Sequence, residues 1–234
     1  MIKVITWNIK VGLKYNNLVY TIDKFSPDIA FFQECKEPHY YLKDRPNLNG
    51  NFISSMTSKH WGNVIYSKNL PIKEALIGQH HDFGGRLLIG EINDINNKYT
   101  LVNLHVPITY GRSRYNLRNM FDILKSYIKG RDVIIVGDFN FGPNFDTPPS
   151  TDHSDFLSNI LNEHGLVDTF PIFNDSEIRS QRPPRPEIRV NRIDFILVSN
   201  SLKDKVKSCQ IIENEDIINR SDHNPVVAEF NIRK

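Results

Sequence analysis

The chain has 234 residues, a length at which a single domain buries roughly 70% of its unfolded surface and needs neither disulfides nor a structural metal to fold. Its 39% hydrophobic and 24% charged residues exclude a mostly disordered chain. With 29 Lys and Arg against 27 Asp and Glu, the formal charge of +2 announces no polyanion partner through bulk electrostatics, so local clusters carry that question.

From the N-terminus, Ile2, Val4, Ile5 and Trp7 form an apolar strand pattern that stops at Asn8. The spacing of Leu18, Tyr20, Ile22 and Phe25 predicts a helix over Asn17–Phe25, stopped by Ser26-Pro27 because proline disfavours helix in the residue before it. Ile29–Phe32 is a continuous apolar run, the signature of a strand buried on both faces, and it delivers Gln33-Glu34 at its end. Further strands are expected at Asn63–Tyr66, Arg86–Ile92, Tyr99–His105, Asp132–Val136, Arg192–Val198, Val206–Ile212 and Val226–Ile232. Leu117, Phe121, Leu124 and Ile128 stripe a helix over Ser113–Lys129, and a weaker helix covers Asp155–His164 before Gly165. Between Arg179 and Arg192, five arginines and three prolines against one glutamate read as a loop or extended arm inside one domain spanning residues 1–234.

Cys35 and Cys209 lie far apart without CxxC spacing, which excludes a zinc ribbon, a redox dithiol and a disulfide framework; Cys35 reads as a small buried filler. MIKVITWNIK has neither a long apolar core nor a small-residue cleavage site, and nowhere do eighteen uncharged apolar residues run together. The expectation is a cytoplasmic protein without membrane association, a monomer by default.

Polar groups capable of chemistry recur where apolar runs stop: Asn8 after VITW, Glu34 after IAFFQ, His105 after TLVNL, Asp138 and Asn140 after VIIVG, Asp194 opening DFILV, and Asp222-His223 before PVVAEF. Singly, each has an ordinary structural explanation. Asn and Asp cap turns through their own backbone, His105 suits a satisfied core histidine, and Asp194 suits an ion pair with Arg192. Jointly, six strand ends could converge on one cleft, where layered α/β proteins build their sites.

The ordered set TWNI (Thr6–Ile9), QE (Gln33-Glu34), NLH (Asn103–His105), GDFN (Gly137–Asn140), RIDFIL (Arg192–Leu197) and SDHNPV (Ser221–Val226) resembles the motif series of the endonuclease/exonuclease/phosphatase superfamily. The resemblance implies a four-layer α/β sandwich, two mixed β-sheets packed face to face with helices outside. It implies a divalent cation, Mg2+ or Mn2+, with Asn8, Glu34 and Asp222 around it directly or through water; such hard cations need only one or two carboxylates. Asp138 and Asn140 would address the attacking water and the phosphate, and His223 would face the phosphate with Asp194 behind it. Whether Asp138 or His223 is the base stays open. His105 would be a second phosphate donor.

Two departures restrict the kinship. Lys10 stands where abasic-site repair members carry an acidic ligand, and His105 where they carry tyrosine; NLH is closer to the deoxyribonuclease, tyrosyl-DNA phosphodiesterase, deadenylase, sphingomyelinase and inositol-polyphosphate phosphatase branches. The inositol-phosphatase cysteine is absent from VNRIDFIL. Five arginines less one glutamate place +4 in the segment Arg179–Arg192, and Arg182, Arg185 and Arg189, joined by Arg114 on the long helix, would clamp a phosphate backbone. The leading expectation is a metal-dependent phosphodiesterase on nucleic acid, DNA rather than RNA. The alternatives are a small-molecule or lipid phosphoesterase on the same scaffold and a binding module with a degenerate site.

Overall fold

The computed structural model describes residues 1–11, 16–42, 45, 50–75, 83–93, 97–108, 113–142, 151–176, 178–182 and 192–232. In chain order the elements are β1 (Ile2–Asn8), α1 (Asn17–Phe25), β2 (Ile29–Cys35), α2 (Pro38–Leu42), β3 (Asn51–Met56), β4 (Gly62–Ser67), β5 (Ile72–Glu74), β6 (Leu87–Asn93), β7 (Lys98–His105), α3 (Ser113–Ile128), β8 (Asp132–Asp138), α4 (Thr151–His164), β9 (Leu166–Asp168), β10 (Asp194–Ser199), β11 (Val206–Ile211), α5 (Glu215–Ile218) and β12 (Val226–Phe230). One six-stranded sheet runs β11-β12-β1-β2-β4-β3 and the other β5-β6-β7-β8-β10-β9. Both are mixed: β1 pairs parallel with β2, and β7 parallel with β8, each across a helical connection, as parallel neighbours require.

Three apolar clusters give the layers. Ile2, Val4, Ile29 and Phe31 of the first sheet meet Leu88, Leu101, Ile134 and Ile196 of the second in a central core. The intervening residues point the other way, as the period of a strand demands: Ile5, Trp7, Ala30 and Phe32 pack on Leu18, Ile22 and Tyr41 of α1 and α2. On the far side, Val102, Val133 and Ile135 pack on Leu117, Phe121 and Leu124 of α3 and Ile160 of α4. The order is helix, sheet, sheet, helix, the expected four-layer sandwich. Strands apolar on both faces explain why β1, β2 and β8 read as continuous runs.

The expected strands and helices are all present with ends shifted by a few residues, and β10 begins at Asp194 rather than Arg192. Strands β3, β5 and β9 and helices α2 and α5 were not legible: β3 has no fully buried residue, and β5 and β9 are three residues long. The two sheets are cross-linked beneath the site by buried amides. Gln33 Nε2 donates to Asn103 Oδ1 at 2.7 Å, and Asn103 Nδ2 donates to the carbonyls of Phe32 and Val64, both at 3.0 Å.

Candidate active site

Strand register brings the polar ends together. Asn8 pairs with Gln33, His105 with Asp138, and Asp194 with Asp138. The β7–β8 approach depends on Gly137, whose φ is +135° and at which a Cβ would stand 1.9 Å from the Leu104 carbonyl oxygen. Glu34 is aimed differently: the β2–β4 pairing shifts register between Phe32 and Cys35, and Glu34 takes φ +50°. A bulge of this kind re-aims a side chain, and here it turns the carboxylate out of the sheet. Lys10 and Asn140 also have left-handed backbones, φ +52° and +46°, so three of the site's non-glycine residues sit where strain is tolerated only if the surroundings impose it.

The site has two halves joined at Asp138. On one side Asn8 Nδ2 donates to Glu34 Oε1 at 3.2 Å and to Asp138 Oδ2 at 3.0 Å, while Asn8 Oδ1 accepts the Lys10 N–H at 3.0 Å. On the other side His223 Nδ1 lies 2.9 Å from Asp194 Oδ2, and His223 Nε2 lies 3.8 Å from Asp138 Oδ2. Asp138 Oδ1 is taken by the Asn140 N–H at 2.9 Å, and Asn140 Nδ2 is tied to the Val106 carbonyl. His105 Nε2 is 3.9 Å from both Glu34 Oε1 and Asp138 Oδ2, and its Nδ1 is buried without a hydrogen-bond partner among the described residues. Ser221 fastens the His223 segment to β1: its Oγ donates to the Asn8 carbonyl at 2.7 Å and accepts the His223 N–H at 3.1 Å.

Burial and charge then sort the protons. Burial alone would lower the His223 imidazole, but the carboxylates of Asp194, Asp138 and Asp222 together outweigh it and push it up to about 10, so it is a cation at neutral pH. Burial pushes His105 down to about 4 despite the attraction of Asp138, so it is neutral. Burial also raises the Asp138 carboxyl, against the pull of His223.

A hard divalent cation needs carboxylate oxygen with room for waters. Glu34 fits: its side chain is 30% exposed, and among the described residues its Oε2 is met by the Val11 N–H at 3.4 Å. Asp138, Asp194 and His223 also bring ligand atoms within 4.8 Å of one another, a second group that could hold a cation. Two expected ligands are placed differently. Asn8 turns its NH2 group, not its oxygen, to both carboxylates. Asp222 is paired with Lys10 Nζ at 3.1 Å, with both side chains well exposed.

The arginine arm changes most. Arg182 donates to the Asn224 side chain and to the Ser221 carbonyl, Arg179 pairs with Glu213 at 3.0 Å, and Arg192 pairs with Asp168 at 2.7 Å rather than with Asp194. Each of these three guanidiniums bonds to groups of the protein itself. Arg185 and Arg189 lie outside the described residues. Arg114 stacks on Phe141 and Phe156, 6.0 and 5.6 Å from their ring centres.

Sequence reasoning missed Arg86, Trp61 and Gln181. The Arg86 guanidinium lies 4.8 Å from the Trp61 ring centre within the fields of Glu34 and Asp138, and Trp61 stands 5.6 Å from the His105 ring. Gln181 Nε2 stands 3.3 Å from His223 Nε2. None ends a long apolar run, which was the signal that found the others.

The sequence profile of the Endonuclease/Exonuclease/phosphatase family matches residues 5–223. The chain belongs to this family. Among curated relatives, human tyrosyl-DNA phosphodiesterase 2 is 28% identical over 154 residues, 60% of this chain and 42% of that protein. The Xenopus tropicalis protein of the same name is 27% identical over 58% of this chain and 40% of its own. The chain thus spans well under half the length of these relatives. The endonuclease/exonuclease/phosphatase fold is matched by a 3'-phosphatase from Neisseria solved with a product DNA hairpin, TM-score 0.79 at 17% identity over 98% of this chain and 99% of that one. An AP endonuclease from Archaeoglobus fulgidus gives 0.76 at 19% identity, over 99% and 100%.

Proposed function

We propose that this chain is a divalent-metal-dependent phosphodiesterase acting on nucleic acid, DNA in preference to RNA, with Mg2+ or Mn2+ as its cation. The observation that carries the reading is Asp138: a buried carboxylate with Glu34 and Asn8 on one side and the His223–Asp194 pair on the other. We take residues 1–234 as one domain, because both sheets contribute to that arrangement, and the monomer as the working unit, because one chain supplies every group named.

Glu34 would hold the cation, with Asp222 addressing it through water once released from Lys10. When bound, the cation would neutralise charge on the phosphoryl oxygens and polarise the phosphorus centre. Asp138 is the base we favour. One of its oxygens is occupied by the Asn140 N–H, and the other faces Asn8, His105 and His223 at the cleft. His223, pushed up to about 10, is rarely free to take a proton at neutral pH and instead suits a charge-assisted donor to a phosphoryl oxygen. Asp194 fixes the ring and favours that cationic form. His105, neutral, offers one N–H to the same cleft, and Asn140 positions Asp138.

The DNA preference rests on the activities for which the relatives are named. Tyrosyl-DNA phosphodiesterases are among the sequence matches, and a DNA-bound phosphatase is among the structural ones. The test is a panel of plasmid, single-stranded DNA, RNA, a 5'-tyrosyl DNA adduct and inositol phosphates, each with Mg2+, Mn2+ or EDTA. Metal-dependent cleavage of DNA substrates supports the reading; turnover of inositol phosphates alone moves the chain to the small-substrate branch.

A further inference from the structure

His223 Nε2 points away from Asp194, toward Asp138, because Nδ1 is committed to Asp194. What stands beside that nitrogen is therefore part of any site that uses it. Among the described residues two groups do: the Asp138 carboxylate at 3.8 Å, beyond hydrogen-bond range, and the Gln181 side-chain amide, whose Nε2 is 3.3 Å away.

Gln181 is delivered there by backbone pairing. Residues 180–182 run antiparallel to 222–224: Arg182 N–H donates to the Asp222 carbonyl at 2.7 Å, and Asn224 N–H donates to the Ser180 carbonyl at 2.6 Å. Those two bonds flank the Gln181–His223 bridge without involving either residue's own amide. This is the narrow, non-hydrogen-bonded pairing of an antiparallel ladder, in which facing side chains project to the same side and lie closest. The segment is anchored at both ends. Ser180 Oγ accepts the N–H groups of Ile193 and Asp194 at 2.9 and 3.0 Å, and Arg182 ties down Ser221 and Asn224. One three-residue bracket thus fixes the carboxylate behind the imidazole and the amide in front of it.

Gln181 Nε2 and His223 Nε2 stand 3.3 Å apart on the Asp138 side of the imidazole. An oxygen about 2.9 Å from both would satisfy each at once, which is the geometry by which paired N–H groups hold an oxyanion. We propose that Gln181 is a further phosphate donor, bracketing with His223 one non-bridging oxygen of the phosphodiester. The proposal rests on the phosphodiesterase reading and adds a residue to it. The opposite amide rotamer would place Oε1 on His223, making Gln181 a plug that substrate must displace.

The variants Gln181→Met, of like shape without N–H, and Gln181→Glu, of like shape and acceptor only, separate these roles. The measurements are binding of inorganic phosphate in saturating Mg2+ by calorimetry, and kcat and KM for bis(p-nitrophenyl) phosphate, with thermal melts giving the folded fraction. A donor predicts phosphate affinity in the order Gln, Met, Glu, with Gln181→Met about tenfold weaker and kcat down about ten- to a hundredfold at little cost in KM. Gln181→Met binding phosphate as tightly as the parent, per folded molecule, overturns the proposal. Tighter binding overturns it in favour of the plug. His223→Ala in the same assays separates the two levels: a parent that turns over while His223→Ala does not, with Gln181→Met at parental rates, sinks the donor role and leaves the function standing. A parent that neither binds phosphate nor cleaves the diester removes both.

Discussion

Asp138 and Asp194 are cross-strand partners in the β8–β10 pair, and the imidazole of His223, carried by a segment anchored to the other sheet, lies between their carboxylates at 3.8 and 2.9 Å. Two buried acids on adjacent strands would repel; a cation between them removes the conflict. Replacing His223 by Ala should therefore lower phosphodiester hydrolysis roughly a hundredfold or more and leave two unscreened carboxylates. Asp194→Asn should cost less, since the ring remains. Rate losses in the double variant equal to the product of the two single losses would show that the residues do not act as a unit.

Glu34 is the carboxylate best placed for a cation, and its reach depends on the φ +50° bulge. Glu34→Gln keeps the oxygen and loses the charge. At limiting Mg2+ the variant should need at least about tenfold more metal for half-maximal rate, the usual scale for disturbing a metal's ligand environment, while its melting profile without metal stays near the parent's. An unchanged metal requirement rules out the assignment.

His105 has 4% of its surface exposed and is pushed down to about 4 by burial. Because the unfolded chain binds this proton near 6.5 and the folded chain only near 4, stability from His105 is complete above pH 6.5 and drains as pH falls towards 4. Between pH 7.5 and pH 5 the loss should reach ~2 kcal/mol. In EDTA, urea midpoints of the parent at these two pH values should differ by more than those of His105→Gln. Identical pH dependence in the two proteins would assign the acid sensitivity elsewhere.

The alternation of Ile2, Val4, Ile5 and Trp7, buried on opposite faces of β1, made the double-sided sheets legible, and Asn8, Glu34, His105, Asp138, Asp194 and His223 were legible as interruptions of such runs. Gln181 and Arg86 were not, because their positions come from an isolated bridge and a cation–π stack, contacts between segments with no periodic signature. The partners of the described arginines were not legible for a related reason. Composition counts charges, but whether a guanidinium faces solvent or a neighbour's carbonyl is decided by packing, and Arg182 went to Ser221 and Asn224.

That division of the arm yields a last prediction. Arg182 is bonded to two groups of the segment that carries His223, so Arg182→Ala should destabilise the fold by about 1 to 3 kcal/mol and lower kcat on every substrate alike, a minimal diester included. Arg185 and Arg189 follow it in sequence, and a backbone-gripping role for them has a separate signature. Removing one arginine–phosphate pair should flatten the dependence of log affinity on log salt by roughly 0.7 to 0.9. Arg185→Ala with Arg189→Ala should therefore weaken binding of a long oligonucleotide at low salt and reduce its salt slope by about 1.5. Melting temperature and hydrolysis of bis(p-nitrophenyl) phosphate should stay at parental values, since a small diester has no flanking backbone to grip. A double variant with the parental salt slope would leave the polymer without a clamp in this segment, and equal losses on polymer and minimal diester would place these two arginines at the reacting phosphate itself.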